Sequence, residues 1–541
     1  MFPSIQKKDY RVLELVRQRE IQDSVTHTIL QKLQVTENLI LRLGLEKELN
    51  GHSGCVNCLE WNETGQVLAS ASDDKDIILW DPFRYEKKLV LHSGHRGNIF
   101  SVKVPPSPSI HDNSNGANIS TYRAGKGDPN NNIPLGSVQY FIAGHLRSRD
   151  GARSITTTYL TFSDDGNELL VNMGGEQIYL FDINDSKSSK TFLDSSWKHP
   201  GSIEQVQKLM YYMKQNDTDD AGDFVDKNVK ILPPHVEEIK RLANEGFEHQ
   251  KYSLAINLYN KAISYCPTAA VLFANRAAAY MKRAWDGDIY AALRDCKTTL
   301  LLDPEHVKAH FRLVRCLFDL NRSIEADKML TSFQQKFPEY ASNSACRALK
   351  MDIKEAIDVG KDITQTRQTF LPLSEYEQEW RRNTIDYAMR FCGHCNTTTD
   401  IKEANFFGNN GQYIVAGSDD GSFFIWDRNT TNIVRVLRGD ERIVNCLQPH
   451  PSMCLLATSG IDPVIRLWSP WPEDGSVNER EIQNLDDAAS ANQIRMNSDP
   501  FELMLMNMGY RFPVPQHEFS DEDNEDQHDQ PITQALNCRP S

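Results

Sequence analysis

The sequence predicts a multidomain α and β protein, in which an incomplete β-propeller is interrupted by an all-α solenoid. Strand-like units that close on Trp-Asp lie towards both ends of the 541-residue chain, and helical units of one shared period lie between them. The strand-like stretches suffice for about five propeller blades at most, at roughly 40–45 residues per blade. The length alone allows three or four domains of about 150 residues.

The composition excludes several classes of protein. The chain carries 59 Lys and Arg against 74 Asp and Glu, a net charge of −15, which argues against direct binding of nucleic acid. It contains no apolar run of the roughly 20 residues that would span a membrane. Residues 1–9 contain no apolar core of a signal peptide. The cysteines number eleven, too few for a disulfide framework, so we expect reduced thiols and a location in cytoplasm and nucleus.

The charge is distributed unevenly along the chain. Residues 520–529 carry six acids and no Lys or Arg, which predicts a disordered acidic tail over 513–541. The helical block over 235–340 instead holds 15 Lys and Arg against 13 Asp and Glu, a net +2. We therefore expect the helical block to favour an acidic partner.

The strand-like unit at 51–81 opens on Gly-His and closes on Trp80-Asp81, and it resembles a WD repeat, one four-stranded propeller blade. The resemblance implies that His52, Asp74 and Trp80 form a buried hydrogen-bonded set. Two later units repeat the six-residue spacing between the Asp and the Trp, although one of them opens on Gly439-Asp440 instead of Gly-His; their residues are Asp420 with Trp426 and Asp462 with Trp468. A weaker unit at 140–182 has Gly175 and Phe181 at the corresponding positions.

The helical unit at 236–267 alternates small alanines with bulky tyrosines and closes on a proline. It resembles a tetratricopeptide (TPR) repeat, a pair of antiparallel helices. A second unit runs from about 270 to Pro304, three residues over the period, with the extra residues near 285–287. A third runs from 307 to about Pro338, which gives the three repeats that a stable stack requires.

The order WD, TPR, WD resembles the WD and tetratricopeptide repeat protein 1 family, known in insects as adipose, from about residue 37 to 512. The resemblance implies a seven-bladed propeller. Here a blade begins at Gly94-His95 and stops at Lys103, which suggests a shortened form that lacks two to three blades at about Lys103–Val104. The predicted layout is a helical segment 1–50, WD blades 51–182 with a loop at 104–137, a linker 183–234, the TPR domain 235–345, a linker 346–389, closing WD blades 390–470, a C-terminal segment 471–512 and the tail 513–541.

Five residues of the TPR block match the carboxylate clamp, the TPR variant that holds the C-terminal carboxylates of heat-shock chaperones. When the repeats are aligned on their closing prolines, these residues fall on the first helix of each repeat: Lys240, Asn244, Asn275, Lys308 and Arg312. Lys and Arg supply charge-assisted donors, and Asn supplies neutral donors to carboxylate oxygens. The alternative is that these side chains are simply solvated on helix surfaces.

The family resemblance also implies a substrate receptor of a cullin-RING (cullin-4 type) E3 ubiquitin ligase, which docks the damaged-DNA-binding adaptor protein. It further implies restraint of lipid storage and lipogenic transcription, with histone and deacetylase contacts. Docking would use the N-terminal helices, whose candidate residues are Leu13, Val16, Arg17 and Arg19; alternatively these helices only cover a propeller edge. The Trp-Asp-x-Arg element departs from its pattern, because Arg84 lies one residue late and Arg428 one residue early.

Cys392-Gly393-His394-Cys395 resembles the redox pair of disulfide isomerases, but no thioredoxin-like context surrounds it. A zinc site formed with Cys55 and Cys58 is an alternative, and packed thiols are favoured over both. We expect no catalytic residues, no metal and no cofactor, and therefore no enzyme. A chaperone-binding TPR adaptor without a ligase role is the second hypothesis, and a thiol oxidoreductase is the third.

Overall fold

The computed structural model describes residues 35–104, 141–146, 156–183, 232–366, 385–408, 410–473 and 478–497. The strands within these ranges are β1 Leu43–Asn50, β2 Val56–Trp61, β3 Leu68–Ser72, β4 Asp76–Asp81, β5 Glu86–His92, β6 Thr157–Phe162, β7 Glu168–Met173, β8 Ile178–Asp182, β9 Met389–Phe391, β10 Ala404–Phe407, β11 Tyr413–Gly417, β12 Ser422–Asp427, β13 Ile433–Arg438, β14 Val444–Pro449, β15 Leu456–Gly460 and β16 Val464–Pro470. The α-helices are α1 Glu37–Leu41, α2 Pro234–Glu248, α3 Tyr252–Tyr265, α4 Ala270–Arg283, α5 Asp288–Leu302, α6 Val307–Asp319, α7 Ser323–Lys336, α8 Ser344–Thr366 and α9 Leu485–Asn497.

The strands form four antiparallel sheets of four strands each, the expected blades. Blade A contains β2–β5, blade B contains β6–β9, and blade C contains β10–β13. Blade D contains β14–β16 and is completed by β1 from the beginning of the chain, which pairs with β16. The N-terminal strand therefore fastens the two ends of the described chain together, as in propellers that close by sharing a blade.

Three shared apolar cores set the order of the blades in space. One core joins blades B and C, a second joins C and D, and a third joins D and A. In the part of the chain that the structure describes, no such core joins A and B. The four blades therefore form the arc B–C–D–A rather than a closed ring.

The outer face of blade A lacks a neighbour. Ile78 packs towards blade D, whereas Leu89 and Leu91 lie on the opposite face and are 47% and 43% exposed. On blade B, Leu160 and Phe162 are 54% and 57% exposed, on the face that points away from blade C. Apolar side chains at alternate strand positions ordinarily pack against a neighbouring sheet. Both ends of the arc therefore carry faces built for further blades.

The helical solenoid is inserted inside blade B, between β8 and β9, rather than between complete blades. The three helix pairs α2–α3, α4–α5 and α6–α7 follow one another as expected for three repeats, and α8 packs against α7 as a terminal helix. Met389, at the end of the predicted linker 346–389, belongs to β9 and hydrogen-bonds with β8. Most of that linker's first half is α8.

The prediction of a helical segment over 1–50 is wrong for its last part. Residues 43–50 form β1, and the short helix α1 is the only helix among the described residues before it. The sequence LGLEKELN has helix-like spacing, but its partner β16 lies more than 400 residues away along the chain. Pairing with the open edge of blade D outweighs the weak local preference for helix.

A hydrogen-bonded relay inside blade A joins the three residues that the WD resemblance singles out. Trp80 Nε1 donates to Ser70 Oγ at 2.9 Å, and Ser70 Oγ lies 2.7 Å from His52 Nε2. His52 Nδ1 donates to Asp74 Oδ2 at 2.9 Å. Burial lowers the pKa of His52, so the imidazole is neutral and can accept from the serine. Sequence reasoning missed Ser70, which links the other members.

The two later WD units use different partners for their tryptophans. In blade D, Trp468 Nε1 donates to Thr458 Oγ1 at 2.8 Å, while Asp462 pairs with Arg466 at 2.8 Å. In blade C, Trp426 Nε1 donates to the carbonyl of Cys392 at 2.9 Å. The side chain of Asp420 accepts from Asn492 of α9 at 3.2 Å. The shared six-residue spacing from Asp to Trp therefore puts the tryptophans at equivalent positions, but it does not fix their hydrogen-bond acceptors.

We predict that Ser70→Ala destabilises blade A. The change removes the three hydrogen bonds of the serine hydroxyl, to Trp80, His52 and the carbonyl of Ile78, and leaves Trp80 Nε1 and His52 Nε2 buried without that partner. Each buried polar group that loses its hydrogen-bond partner lowers the free energy of unfolding by about 1–3 kcal/mol. The urea midpoint should fall accordingly, whereas Ser53→Ala, at an exposed neighbouring serine, should leave it unchanged. Equal midpoints for the two variants would contradict the relay.

Candidate functional site

The first helices of the three repeats, α2, α4 and α6, lie side by side and form the groove predicted to hold an acidic peptide. Asn244 on α2 and Asn275 on α4 are brought together, with Asn275 Nδ2 donating to Asn244 Oδ1 at 3.3 Å. Tyr259 Oη also donates to Asn244 Oδ1, at 2.6 Å. The two asparagines are thus neighbours in the fold, although 31 residues separate them along the chain.

Arg312 and Asn275 form the floor of this groove rather than its rim. Both side chains are buried, and Arg312 Nη1 donates to the backbone carbonyl of Ala274 at 2.7 Å, which ties α6 to α4. An incoming peptide would therefore meet Arg312 mainly through its positive charge. The accessible charged donors of the predicted carboxylate clamp are therefore the two lysines.

Lys240 and Lys308 are the half-buried cations of the groove. Lys240 pairs with Glu237 at 2.8 Å, a surface ion pair between residues three positions apart on one helix. Such pairs are worth about 0–1 kcal/mol and yield readily to a better anion. Lys240 therefore remains available to a ligand.

Lys308 has no carboxylate within 4.0 Å of its ammonium group among the residues that the structure describes. It lies one helical turn before Arg312, and burial together with the charge of Arg312 lowers the pKa of Lys308. A nearby anion would oppose both effects, because it would stabilise the charged ammonium. The groove therefore contains a cation whose surroundings favour an anionic ligand.

The Cys392–Cys395 motif lies in the connection from β9 of blade B to β10 of blade C, and it is buried apart from the half-buried Cys392. Burial raises the pKa of the Cys395 thiol to about 12, and it also raises the pKa of Cys392. His394 lies 3.1 Å, measured from Nε2, from Asn172 Oδ1 of blade B, and burial lowers its pKa to about 3. Reactive disulfide pairs require a thiolate, hence a lowered thiol pKa. Gly393-His394 instead occupies the Gly-His opening of a WD unit, which sequence reasoning missed by beginning that unit at 401.

The structure does not bring the four cysteines into a metal site. Cys58 packs with Ala71 and Ile99, and burial raises its pKa to about 12. Throughout the described ranges, no group of three or more His, Cys, Asp or Glu side chains is placed to hold a metal ion. No helix within them is long and apolar enough to cross a membrane.

The residues proposed for adaptor docking, Leu13, Val16, Arg17 and Arg19, lie outside the described residues. The two Trp-Asp motifs with displaced arginines differ from each other. Arg84 is exposed on blade A, whereas Arg428 forms an ion pair with Glu168 of blade B. Arg84 is therefore the more accessible of the two arginines.

A buried ionic junction joins the solenoid to blade B. Asp288, at the first position of α5, is fully buried and pairs with Arg283 at 2.8 Å and with Arg390 of β9 at 2.5 Å. Burial alone would raise the pKa of Asp288, but the two guanidinium groups hold it below its ordinary value. Arg390 Nη1 also donates to the carbonyl of Asp286 at 2.6 Å.

The three extra residues of the second repeat form this junction. Gly287 has a φ of +79°, and a Cβ at this position would lie 2.5 Å from Arg390 Nη1. Glycine is therefore required both for the turn and for the close approach of the arginine. Beside it, Tyr290 Oη donates to Asp386 Oδ2 at 2.5 Å. The signal in the sequence was the three residues by which the second repeat exceeds the TPR period. That signal did not indicate Arg390 or Asp386 as partners.

Helix α5 covers the outer face of blade B. Tyr290 and Leu293 share one apolar core with Val171, Tyr179 and Phe181 of β7 and β8. Part of the face built for a further blade is thus packed against the solenoid, which leaves Leu160 and Phe162 exposed. The solenoid and the propeller arc are therefore in extensive contact.

Comparisons with known proteins found similarity over several parts of this chain. A family model described as WD domain, G-beta repeat matches residues 44–81, 386–427 and 431–469. The human protein named DDB1- and CUL4-associated factor 6 is 49% identical over 92 residues, which cover 17% of this chain and 10% of that protein. A solved structure of the first TPR of Spaghetti (RPAP3), bound to HSP90 peptide SRMEEVD, is 26% identical, covering 24% of this chain and 97% of that one, with a TM-score of 0.22.

The human WD and tetratricopeptide repeats protein 1 is 40% identical over 643 residues, which cover 92% of this chain and 95% of the relative. Because 92% of 541 residues is about 498, about 145 aligned positions have no residue here. At roughly 40–45 residues per WD unit, the deficit is about three units. The size of the deficit fits the predicted shortening, but that the missing residues are WD blades and lie at Lys103–Val104 stays a prediction. By its identity and coverage, the chain belongs to the WD and tetratricopeptide repeats protein 1 family.

Proposed function

We propose that this WD and TPR repeat scaffold is a substrate receptor of a cullin-RING (cullin-4 type) E3 ubiquitin ligase. The observation that carries the proposal is the 49% identity over 92 residues to a protein whose name associates it with DDB1 and CUL4. In this proposal the propeller arc contacts the adaptor, and the solenoid presents a client. Ubiquitin transfer takes place on other subunits of the ligase, and this chain performs no chemistry itself.

Two features of the described residues support a receptor. The solenoid and blade B share a core and a buried ionic junction, so a client held in the groove keeps a fixed position relative to the propeller. The exposed Arg84 follows Trp80-Asp81 on the blade at one end of the arc, where a partner can reach it. The proposal also includes action in cytoplasm and nucleus, contacts with histones and deacetylases, and restraint of lipid storage, which rest on the family resemblance alone.

For the receptor, we predict that Leu13→Asp combined with Val16→Asp abolishes co-purification with the damaged-DNA-binding adaptor protein, because the charges disrupt the apolar stripe proposed to dock. Arg84→Ala should weaken binding about tenfold, the loss of one charge-assisted contact. The control Arg96→Ala removes an exposed arginine outside the Trp-Asp motif. Undiminished adaptor binding by the Leu13 and Val16 variant would refute the proposed docking segment.

A chaperone-linked adaptor that acts without a ligase is the second candidate. The observation that favours it is Lys308, a half-buried cation one helical turn before Arg312, with no carboxylate within 4.0 Å among the described residues. A peptide that ends in acidic residues and a free carboxylate would supply the missing anion.

For the groove, we predict that Lys308→Glu weakens binding of the peptide SRMEEVD about tenfold or more. One charge-assisted hydrogen bond is worth about 1.5–3 kcal/mol, and 1.4 kcal/mol is tenfold in affinity. The matched control is Lys328→Glu, which makes the same charge change at an exposed site on α7. Arg312→Ala is a poorer test, because it also breaks the link to Ala274. Fluorescence anisotropy with labelled peptide gives both affinities, and equal weakening by the two variants would argue against the groove.

A further inference from the structure

Lys308 differs from most arginines of the solenoid in its surroundings. Most of the arginines on these helices have a carboxylate of their own, as in the pairs Arg276–Asp295, Arg283–Asp288, Arg315–Asp319 and Arg322–Glu325. Lys336 likewise pairs with Glu305 at 3.0 Å. Lys308 has no such partner in the described part of the chain, although its side chain is partly withdrawn from water. The ammonium group of Lys308 would therefore be stabilised by an anion that does not belong to the described residues.

The same chain contains a segment of complementary charge. Residues 520–529, SDEDNEDQHD, carry six carboxylates and no Lys or Arg. Outside the tail 513–541, no ten consecutive residues carry six acids without a Lys or Arg. The described structure ends at Asn497, and residues 520–529 lie outside it.

The point of attachment puts this segment within reach of the groove. Helix α9 begins near the solenoid. Burial raises the pKa of Asp486, and the charge of Arg283 of α4 is close enough to oppose that rise. Twenty-two residues separate Asn497 from Ser520, and such a length of chain can span up to about 75 Å when extended. A tethered segment of this kind acts at an effective concentration of the order of millimolar.

We propose that residues 520–529 occupy the groove at Lys308 within the same molecule and compete with acidic peptides from other proteins. This inference rests on the groove being the peptide site proposed above. The tail offers side-chain carboxylates only, whereas a competing peptide adds a terminal carboxylate, so the tail is the weaker ligand and can be displaced. The tail thus sets a threshold affinity that a client must exceed.

The test uses the full-length chain with the acidic charge of residues 520–529 removed. In this variant all six acids of residues 520–529 are changed to their amides: Asp521→Asn, Glu522→Gln, Asp523→Asn, Glu525→Gln, Asp526→Asn and Asp529→Asn. Labelled SRMEEVD should bind it about three- to tenfold more tightly than the wild type at low salt, because a competitor is gone. The difference should shrink at about 1 M salt, where charges are screened beyond about 3 Å. A chain with the same ten residues in permuted order is the matched control and should behave as the wild type.

A second measurement separates failure of this inference from failure of the proposed groove. A labelled peptide of residues 516–531 is added to the neutralised full-length chain, and Lys308→Glu should remove its binding while Lys328→Glu should not. If SRMEEVD binds the wild type and the neutralised chain equally at low salt, the tail does not compete and the inference is overturned. If SRMEEVD binds neither chain, the groove proposal fails, and absence of binding by the 516–531 peptide then overturns the inference independently.

Discussion

The buried carboxylate of Asp288, held between Arg283 and Arg390, is the interaction on which the arrangement of this protein depends. It joins the second TPR repeat to a strand 102 residues further along the chain. A buried charge of this kind is costly unless it is paired, and loss of one partner costs about 3–5 kcal/mol. The three charges therefore contribute little to the net free energy of unfolding. Any other placement of the solenoid would separate Asp288 from Arg390 and would be strongly unfavourable. Gly287 and the other extra residues of the second repeat lie at this junction.

The consequence is a scaffold in which two repeat architectures act as one support. The solenoid is inserted between β8 and β9 of blade B. Strand β9 can therefore pair with β8 only when the folded solenoid brings the two strands together. Helix α5 then covers part of the blade face that would otherwise await another blade. The peptide groove on α2, α4 and α6 lies in the same solenoid, so a bound peptide has a defined position relative to the propeller. Such a support suits the presentation of a client, whichever partner the propeller binds.

The sequence predicted the repeat architecture well, because each WD and TPR unit carries its signal locally. The six-residue spacing from Asp to Trp, and the alternation of alanine with tyrosine, depend on contacts within one unit. The errors concern contacts between distant segments. Residues 43–50 form a strand because blade D lacks one, and Arg312 is buried because α4 offers it a carbonyl. His394 was assigned to a redox-like motif because its Gly-His role becomes visible only when blade C is assembled. The excess residues at 285–287 were noticed, but their partner Arg390 could not be inferred from spacing.

Hydrogen exchange on the full-length protein tests the central claim most directly, through a comparison of the wild type with Arg390→Ala. If the junction couples the two architectures, the variant loses protection both in the solenoid at residues 283–294 and in blade B at residues 178–182, while blades A and D keep theirs. Arg315→Ala, which removes a half-exposed arginine of a surface ion pair on α6, should leave both regions protected. Unchanged protection of the solenoid and blade B in Arg390→Ala would contradict the account.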